Sequence, residues 1–490
     1  MLRLILLTIA SLGLVFGGCA TQSEVVDVPV DRSKVPGPAA KRTWSPPKVE
    51  TWTMKNGLEV WFVEQRHTSL VNVALYLPNG HATDPAGKEG LTELTVDMMN
   101  EGAGSRNALD LTKEFQRLGT DFGSGVELDN TTYVLDLLPE SFSASVNLLS
   151  DIVRRPTFPD EEFERRREQA IARNLSSEAR PTTGRSRAMR YALFGDGYAA
   201  YRGHGFVRTL KTLTNANVKA HYKAFVAPAN AKIVVVGALS KDEVQKGLDN
   251  AFGDWTGTPT VSAASVVDRS VSPTVYFVDY PGAQQSSILV ATRAQGSDDV
   301  KERFPKKLYA RVIAGAFSSR INMNLREDKG YTYGARGGFG RYHQAGYFAV
   351  GASVKTDTTL ASLVEIKREL QGVGTTKPLT NEEFSEAKKG LLLGYPNRFE
   401  TISSVAQELA SLVESKKRPS ALVEWSKSID GVSQDSAQLM AKQFSKIRQY
   451  VIVVAGDRAR IEESLKSLGL PIVHCGRDGR PLSKESKTSK

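Results

Sequence analysis

Three landmarks in this chain come round a second time at nearly one spacing. Asp160-Glu161-Glu162-Phe163 is echoed by Asn381-Glu382-Glu383-Phe384, 221 residues on. Phe225, twelve residues before Gly237 at the end of a Val-Val-Val-Gly run, is echoed by Phe444, twelve before Gly456 in Val-Val-Ala-Gly, both 219 residues on. So constant an offset predicts a duplicated domain of about 220 residues. A chain of 490 residues has room for two such domains, each with an ample core. Strands and helices mix in each half without strict alternation. The expected class is therefore α+β: two homologous domains, each a mixed, mainly antiparallel sheet with helices packed on it. Residues 48–255 form the first and 274–482 the second. The Thr-, Ser- and Pro-rich stretch 256–273 joins them, and 483–490 is a Lys/Ser tail expected to be disordered.

Ahead of this body stands a short signal. Arg3, an apolar run over Leu4–Phe16 and then Gly17-Gly18-Cys19 fall well short of a membrane span. Small residues immediately before a cysteine resemble a bacterial lipoprotein signal. That resemblance implies loss of residues 1–18, lipidation of Cys19 and anchoring by several acyl chains. Ala20 after the cysteine implies the outer membrane, with the chain facing the periplasm. Residues 19–47, polar and punctuated by proline, read as a tether. The one other cysteine, Cys475, has no partner within the chain once Cys19 is lipidated. The net charge of +10 is spread in runs such as Arg165-Arg166-Arg167, without the aromatic-interleaved basic stripe of a nucleic-acid binder. It reads as a solvated surface, and nucleic acid is not an expected partner.

The candidate chemistry lies in Ala314–Gly338. Ser318 and Ser319 offer a helix N-cap, Ile321 and Leu325 share a helical face, and Gly330 supplies the stop. Tyr331-Thr332-Tyr333 then alternates like a strand, with both phenols predicted on one face. The turn would bring Arg326 back against Tyr333. A guanidinium fork and a neutral hydroxyl converging on one spot suit a peptide carbonyl that becomes an oxyanion. The same residues also read as an arginine complementing a helix C-terminus and a tyrosine in a half-buried sheet.

Leu325-Arg326-Glu327, followed by Gly330 and Tyr333, resembles the arginine/tyrosine motif in the C-terminal half of pitrilysin/insulinase-type zinc metallopeptidases. Two homologous α/β halves per chain fit the same family, from about Pro47 to about Leu482. The resemblance implies that Arg326 and Tyr333 bind substrate. It also implies a zinc helix in the N-terminal half, Gly-x-x-His-x-x-Glu-His, with a distant glutamate as third ligand. The framework of that helix is present in Gly80, Asp84–Leu91 and Glu101-Gly102, but its metal residues are not. Glu93 stands for the first histidine, Val96 for the glutamate, Asp97 for the second histidine and Arg173 for the third ligand. Arg173 is as well placed to pair with Asp97 as to do anything else. None of the six histidines lies four residues from another, and each reads as an ordinary surface or half-buried residue.

In this family some members are split chains, one carrying the zinc helix and its partner the arginine/tyrosine pair. By resemblance this chain is expected to be the second kind. It would be a non-catalytic subunit of a heterodimeric zinc endopeptidase in the bacterial envelope, acting on peptides or unfolded proteins. It would hold no cofactor itself, the zinc belonging to the partner. Two other readings stay open. One is a structural or peptide-binding lipoprotein with no part in proteolysis. The other is an enzyme in which Glu93 and Asp97 hold a hard cation such as calcium or magnesium.

Overall fold

The central strands of the first half leave neither face for solvent. In β2 (Glu59–Glu64) Val60 and Phe62 point one way and Trp61 and Val63 the other, and all four are buried. β3 (Val71–Leu77) is buried at every position, and β6 (Lys232–Gly237) at every position after the first. Such runs read as strands covered on both faces. These are the central strands of a six-stranded sheet completed by β1 (Glu50–Thr53), β4 (Asp121–Val126) and β5 (Thr131–Leu137), in the order β1-β2-β6-β3-β5-β4. The computed structural model describes residues 44–482 apart from 201–203, 268–269 and 297–300. The signal, Cys19, the tether as far as residue 43 and the tail 483–490 therefore lie outside the described residues.

The second sheet repeats the first. Its strands are β7 (Val275–Asp279), β8 (Gln285–Ala294), β9 (Thr332–Arg341), β10 (Gly346–Lys355), β11 (Val451–Gly456) and β12 (Ile472–Cys475), in the order β9-β10-β8-β11-β7-β12. In both sheets one parallel pair, β2/β6 or β7/β11, continues into three antiparallel neighbours. The sixth strand breaks the likeness. β1 is the first arm of a hairpin on β2, with Gly57 at φ +87 in its turn, whereas β12 adds parallel to β7. The α+β expectation holds, with sheets mainly antiparallel.

Each sheet is covered on one face by its own half and on the other by a helix from the opposite half. Val60, Phe62, Val73, Leu75, Ile233 and Val235 share a core with α1 (Leu91–Met99) and α2 (Asp160–Glu178). The next helix, α3 (Pro181–Phe194), leaves that core. It lays Ala188, Met189, Ala192 and Leu193 against Val278, Leu289, Val453 and Ala455 of the second sheet. In the second half, α4 (Thr359–Gly372) and α5 (Asn381–Leu393) serve their own sheet. The next helix, α6 (Ile402–Glu414), returns the exchange, placing Val405, Leu409 and Leu412 in one cluster with Trp61, Val63, Tyr76, Val234 and Val236. α3 and α6 begin 221 residues apart, the same offset as the acidic landmark before them.

The first turn of α3, Pro181-Thr182-Thr183-Gly184, carries no large apolar residue, and the buried apolar stripe of the helix begins only at Ala188. Pro181 occupies a first-turn position, where its missing N–H costs nothing. Gly184 is required by proximity: a Cβ there would lie 2.5 Å from the Tyr280 hydroxyl. That hydroxyl donates to the Glu178 and Arg180 carbonyls at 2.9 and 3.1 Å, fastening the α2–α3 turn to the second half.

This exchange predicts that the halves unfold together. Leu409→Ala, at a fully buried position on α6, should cost about 2–5 kcal/mol and lower one calorimetric transition without splitting it. Two transitions, only one of them shifted, would show the halves to be independent.

Candidate functional site

α1 begins with a remote cap. The Asp84 carboxylate accepts the backbone N–H of Gly90 and Thr92, both at 2.7 Å, and the Thr92 hydroxyl at 2.6 Å. An anion there complements the helix N-terminus. Burial nevertheless pushes the Asp84 carboxyl up to about 7, against those hydrogen bonds. His221 Nε2 lies 2.9 Å from the Thr92 hydroxyl, and burial takes this imidazole down to about 4, so it is neutral at pH 7. Asp84 and His221 thus set the start of the helix that carries Glu93, Val96 and Asp97, three of the four positions where the family resemblance expects metal-site residues; the fourth, Arg173, lies on α2.

Those positions are occupied by ion pairs. The Glu93 carboxylate lies 2.7 Å from His204 Nδ1 and 3.5 Å from His81 Nε2. Asp97 lies 3.4 Å from the Arg173 guanidinium, and Val96, 3% exposed, is buried in the first core. Burial alone would raise Glu93, but the His204 hydrogen bond, with the charges of His81, His204 and Arg173, holds it below the usual carboxylate range. Asp97 is held above that range by burial and by Glu93, against the pull of Arg173 and Arg166. His204 is raised, chiefly by its bond to Glu93.

Two of the histidines are therefore more than ordinary residues. His81 is buried at 3% exposure, and His204 closes over the same carboxylate from a segment more than a hundred residues away. The i, i+4 spacing missed them because neither is on α1. The residues do not fit a zinc ion: Val96 offers no proton acceptor, Arg173 only donates, and both carboxylates are engaged. The hard-cation reading meets the same obstacle. Among the described residues no group of three or more His, Cys, Asp or Glu is arranged to hold a metal. The neighbouring basic run is likewise more than a solvated face, since Arg165 and Arg166 both pair with Glu101, itself buried at the end of the α1 segment.

The Arg326 region departs from its expected form in three ways. Ser319 stands at the N-cap, but its hydroxyl donates to Ala316 O at 2.6 Å and caps nothing. After one turn of α-helix at Arg320–Asn322 the chain widens into a π-helical segment, Met323–Asp328, a form often found at functional sites. Ile321 and Leu325 do share the buried face, and Gly330 does take the left-handed stop at φ +64. The wide turn is closed by Tyr331 N–H to Leu325 O at 2.9 Å. In β9 the pairing then skips, Thr332 opposite Val354 but Ala335 opposite Ala352, so one extra residue forms a bulge. The two phenols consequently part company. Tyr331 packs against the second core, while Tyr333 projects into solvent at 90% exposure. The Arg326 guanidinium lies 4.8 Å over the Phe317 ring and 3.1 Å from Glu327. No hydrogen bond or cation–π contact joins it to Tyr333 among the described residues.

Two residues that sequence reasoning passed over hold this surface. Asn322, wholly buried, donates to Phe317 O at 2.7 Å and accepts Ala335 N–H at 2.9 Å, tying the segment before the helix to the strand after the bulge. Thr332 Oγ1 accepts Gly334 N–H at 3.1 Å and donates to Ser353 O at 2.7 Å, pinning the bulge itself. Nothing in the sequence marks Asn322, because its partners become neighbours only after folding. Phe317, 54% exposed, is the aromatic platform beneath Arg326.

Two outcomes follow from this geometry. The His204–Glu93 pair should be fully stabilising below the ordinary histidine value of about 6.5 and lose its contribution as pH rises through the higher folded value. In Glu93→Gln, NMR titration of His204 should give a lower midpoint; an unmoved midpoint removes the pairing. Asn322→Ala should cost about 1–3 kcal/mol by leaving the Ala335 N–H unsatisfied, read as a fall in Tm. An unchanged Tm would mean that the amide holds nothing.

Residues 60–194 match the family model described as Insulinase (Peptidase family M16), and residues 212–391 match the one described as Peptidase M16 inactive domain. An uncharacterized zinc protease of Rickettsia felis is 21% identical over 350 residues, covering 69% of this chain and 81% of its own. A non-peptidase homolog, YmxG, of Helicobacter pylori is 22% identical over 342 residues, covering 68% and 76%. The crystal structure of a peptidase M16 inactive domain from Pseudomonas fluorescens superposes with a TM-score of 0.76 at 22% identity, covering 84% of this chain and 98% of that one, which speaks to fold alone.

Proposed function

The chain belongs to the insulinase (peptidase M16) family, and on that premise we propose that it is the non-catalytic subunit of a heterodimeric zinc metalloendopeptidase. The observation that carries this reading is the Asp97–Arg173 pair, a guanidinium seated where a third metal ligand would stand and bound to the residue replacing the second. The zinc, its ligands and the base would come from a partner chain of the same family.

What this chain keeps is the other half of such a site. A tyrosine 90% exposed on a pinned bulge, with an arginine held over an aromatic ring nearby, is a costly arrangement for an isolated surface and a useful one for a substrate held against a second subunit. Arg326 would offer a planar fork and Tyr333 a hydroxyl to the substrate carbonyl as it becomes an oxyanion. The substrates would be peptides or unfolded segments. The signal ending at Cys19 supports a lipid-anchored position facing the periplasm, and no helix among the described residues is long and apolar enough to cross a membrane.

Reconstitution with a zinc-bearing family member tests the proposal. Tyr333→Phe should leave stability and assembly unchanged, since the side chain is solvated, yet lower turnover on the order of 10²-fold, as for loss of one oxyanion donor. Arg326→Lys should be nearly as harmful. The loss falls in kcat if the contact tightens in the transition state, and in KM if it only holds the ground state. Full activity in both variants would instead favour a structural or peptide-binding role without proteolysis.

A further inference from the structure

Far along the second half from either group, the end of the sheet opens into a cavity of about 530 Å³ that neither the motif nor the exchanged helices use. Its floor is the cross-strand pair Val290 and Ile452, neighbours on β8 and β11. Leu363 of α4 forms one wall, and Leu468 and Leu470, flanking the left-handed Gly469, form another. The Tyr450 ring completes the lining, but its hydroxyl is already spent on Phe444 O at 2.6 Å. The lining is therefore mainly hydrocarbon, with Gln371, Gln449 and Ser445, whose hydroxyl donates to Lys442 O at 3.0 Å, as its other uncharged polar members.

The mouth has the opposite character. Lys367 follows Leu363 by one helical turn, so α4 runs from the apolar wall to a cation at the rim. Lys446 and Arg448 approach from the segment that leads into β11. All three side chains are exposed, and among the described residues none of them makes an ion pair or a side-chain hydrogen bond. No Asp or Glu lines the cavity. On neighbouring segments Arg458 is paired with Glu462 and Lys466 with Glu463.

From this juxtaposition we propose a binding site for a single-tailed anionic amphiphile, a fatty-acid-like molecule whose hydrocarbon tail fills the cavity and whose acidic head meets Lys367, Lys446 and Arg448. Volume, apolar lining and a few polar groups at one end match small-molecule sites, which occupy roughly 300–1,000 Å³. The wall selects the class of tail. A peptide would bury an amide group at every residue, each needing a hydrogen-bond partner, and Val290, Leu363, Ile452, Leu468, Leu470 and the engaged Tyr450 provide none; Gln371 and Gln449 could meet only a few. A bare alkyl chain asks for none. The rim selects the charge of the head, because three like charges without counter-ions favour an anion.

Titration calorimetry of the full chain with dodecanoate, below its micelle concentration, decides the matter. One molecule should bind per chain, and each methylene removed, through decanoate to octanoate, should weaken binding about fourfold, the equivalent of ~0.8 kcal/mol per buried CH₂. Dodecyltrimethylammonium, with the same tail and the opposite charge, should not bind. Lys367→Ala/Lys446→Ala/Arg448→Ala changes only exposed side chains and should weaken dodecanoate roughly tenfold, as for three modest surface charges. No saturable binding, equal binding of the cationic amphiphile, or indifference to tail length would each overturn the site. So would sedimentation with phosphatidylglycerol vesicles that needs the three cations in a chain that ignores free dodecanoate, which would make the rim a membrane contact. Binding of an apolar C-terminal peptide in place of dodecanoate would overturn the class of ligand.

Discussion

The fold depends on burying both faces of the central strands in each sheet. A six-stranded sheet with apolar residues at odd and even positions alike has two faces to cover, and each half supplies helices for one. α3 and α6 solve the problem reciprocally, each crossing to the other sheet. Trp61, Phe62, Val234 and Val235 can then all be buried in a strand pair that looks, taken alone, too apolar for its own domain. The duplication is therefore a mutual dependence: neither copy has a finished core without the helix that the other lends.

That frame also holds the segment that carries Glu93 and Asp97. α1 remains capped by Asp84 and packed through Leu94, Val96 and Met98, so its fold does not rest on a bound ion. The carboxylates at Glu93 and Asp97 are largely buried, and a buried charge without a partner is far more costly than one that is paired. His204, His81 and Arg173 provide the compensation. The charge of these carboxylates is balanced by side chains, which explains both the depressed Glu93 and the elevated His204.

The arginine/tyrosine surface shows the opposite strategy, with the polar groups left outside and their supports buried. Asn322 lies at full burial between Phe317 and Ala335, and the bulge it steadies turns Tyr333 away from the core that holds Tyr331. Exposure of Tyr333 and the placement of Arg326 over Phe317 are thus products of backbone geometry two and three residues away.

By its family resemblance the sequence set the expectation that Glu93, Val96, Asp97 and Arg173 stand at metal-site positions, and the repeat, the α+β class and the strands that end at Gly237 and Gly456 were legible in it. These are local patterns or fixed offsets, and hydrophobic period and glycine punctuation report them directly. It also allowed the Asp97–Arg173 pairing, because removing one ligand and inserting a guanidinium leaves few partners for a buried carboxylate. Only the tertiary structure decided that His81 and His204 meet at Glu93, since nothing in a one-dimensional spacing brings residues 81, 93 and 204 together. It alone decided that Tyr331 and Tyr333 face apart, because a bulge adds one residue and so inverts the alternation on which the sequence reading relied. The crossing of α3 was hidden for a different reason: a periodic apolar stripe shows which face of a helix is buried, not which sheet buries it, as α6 with Val405, Leu409 and Leu412 also shows.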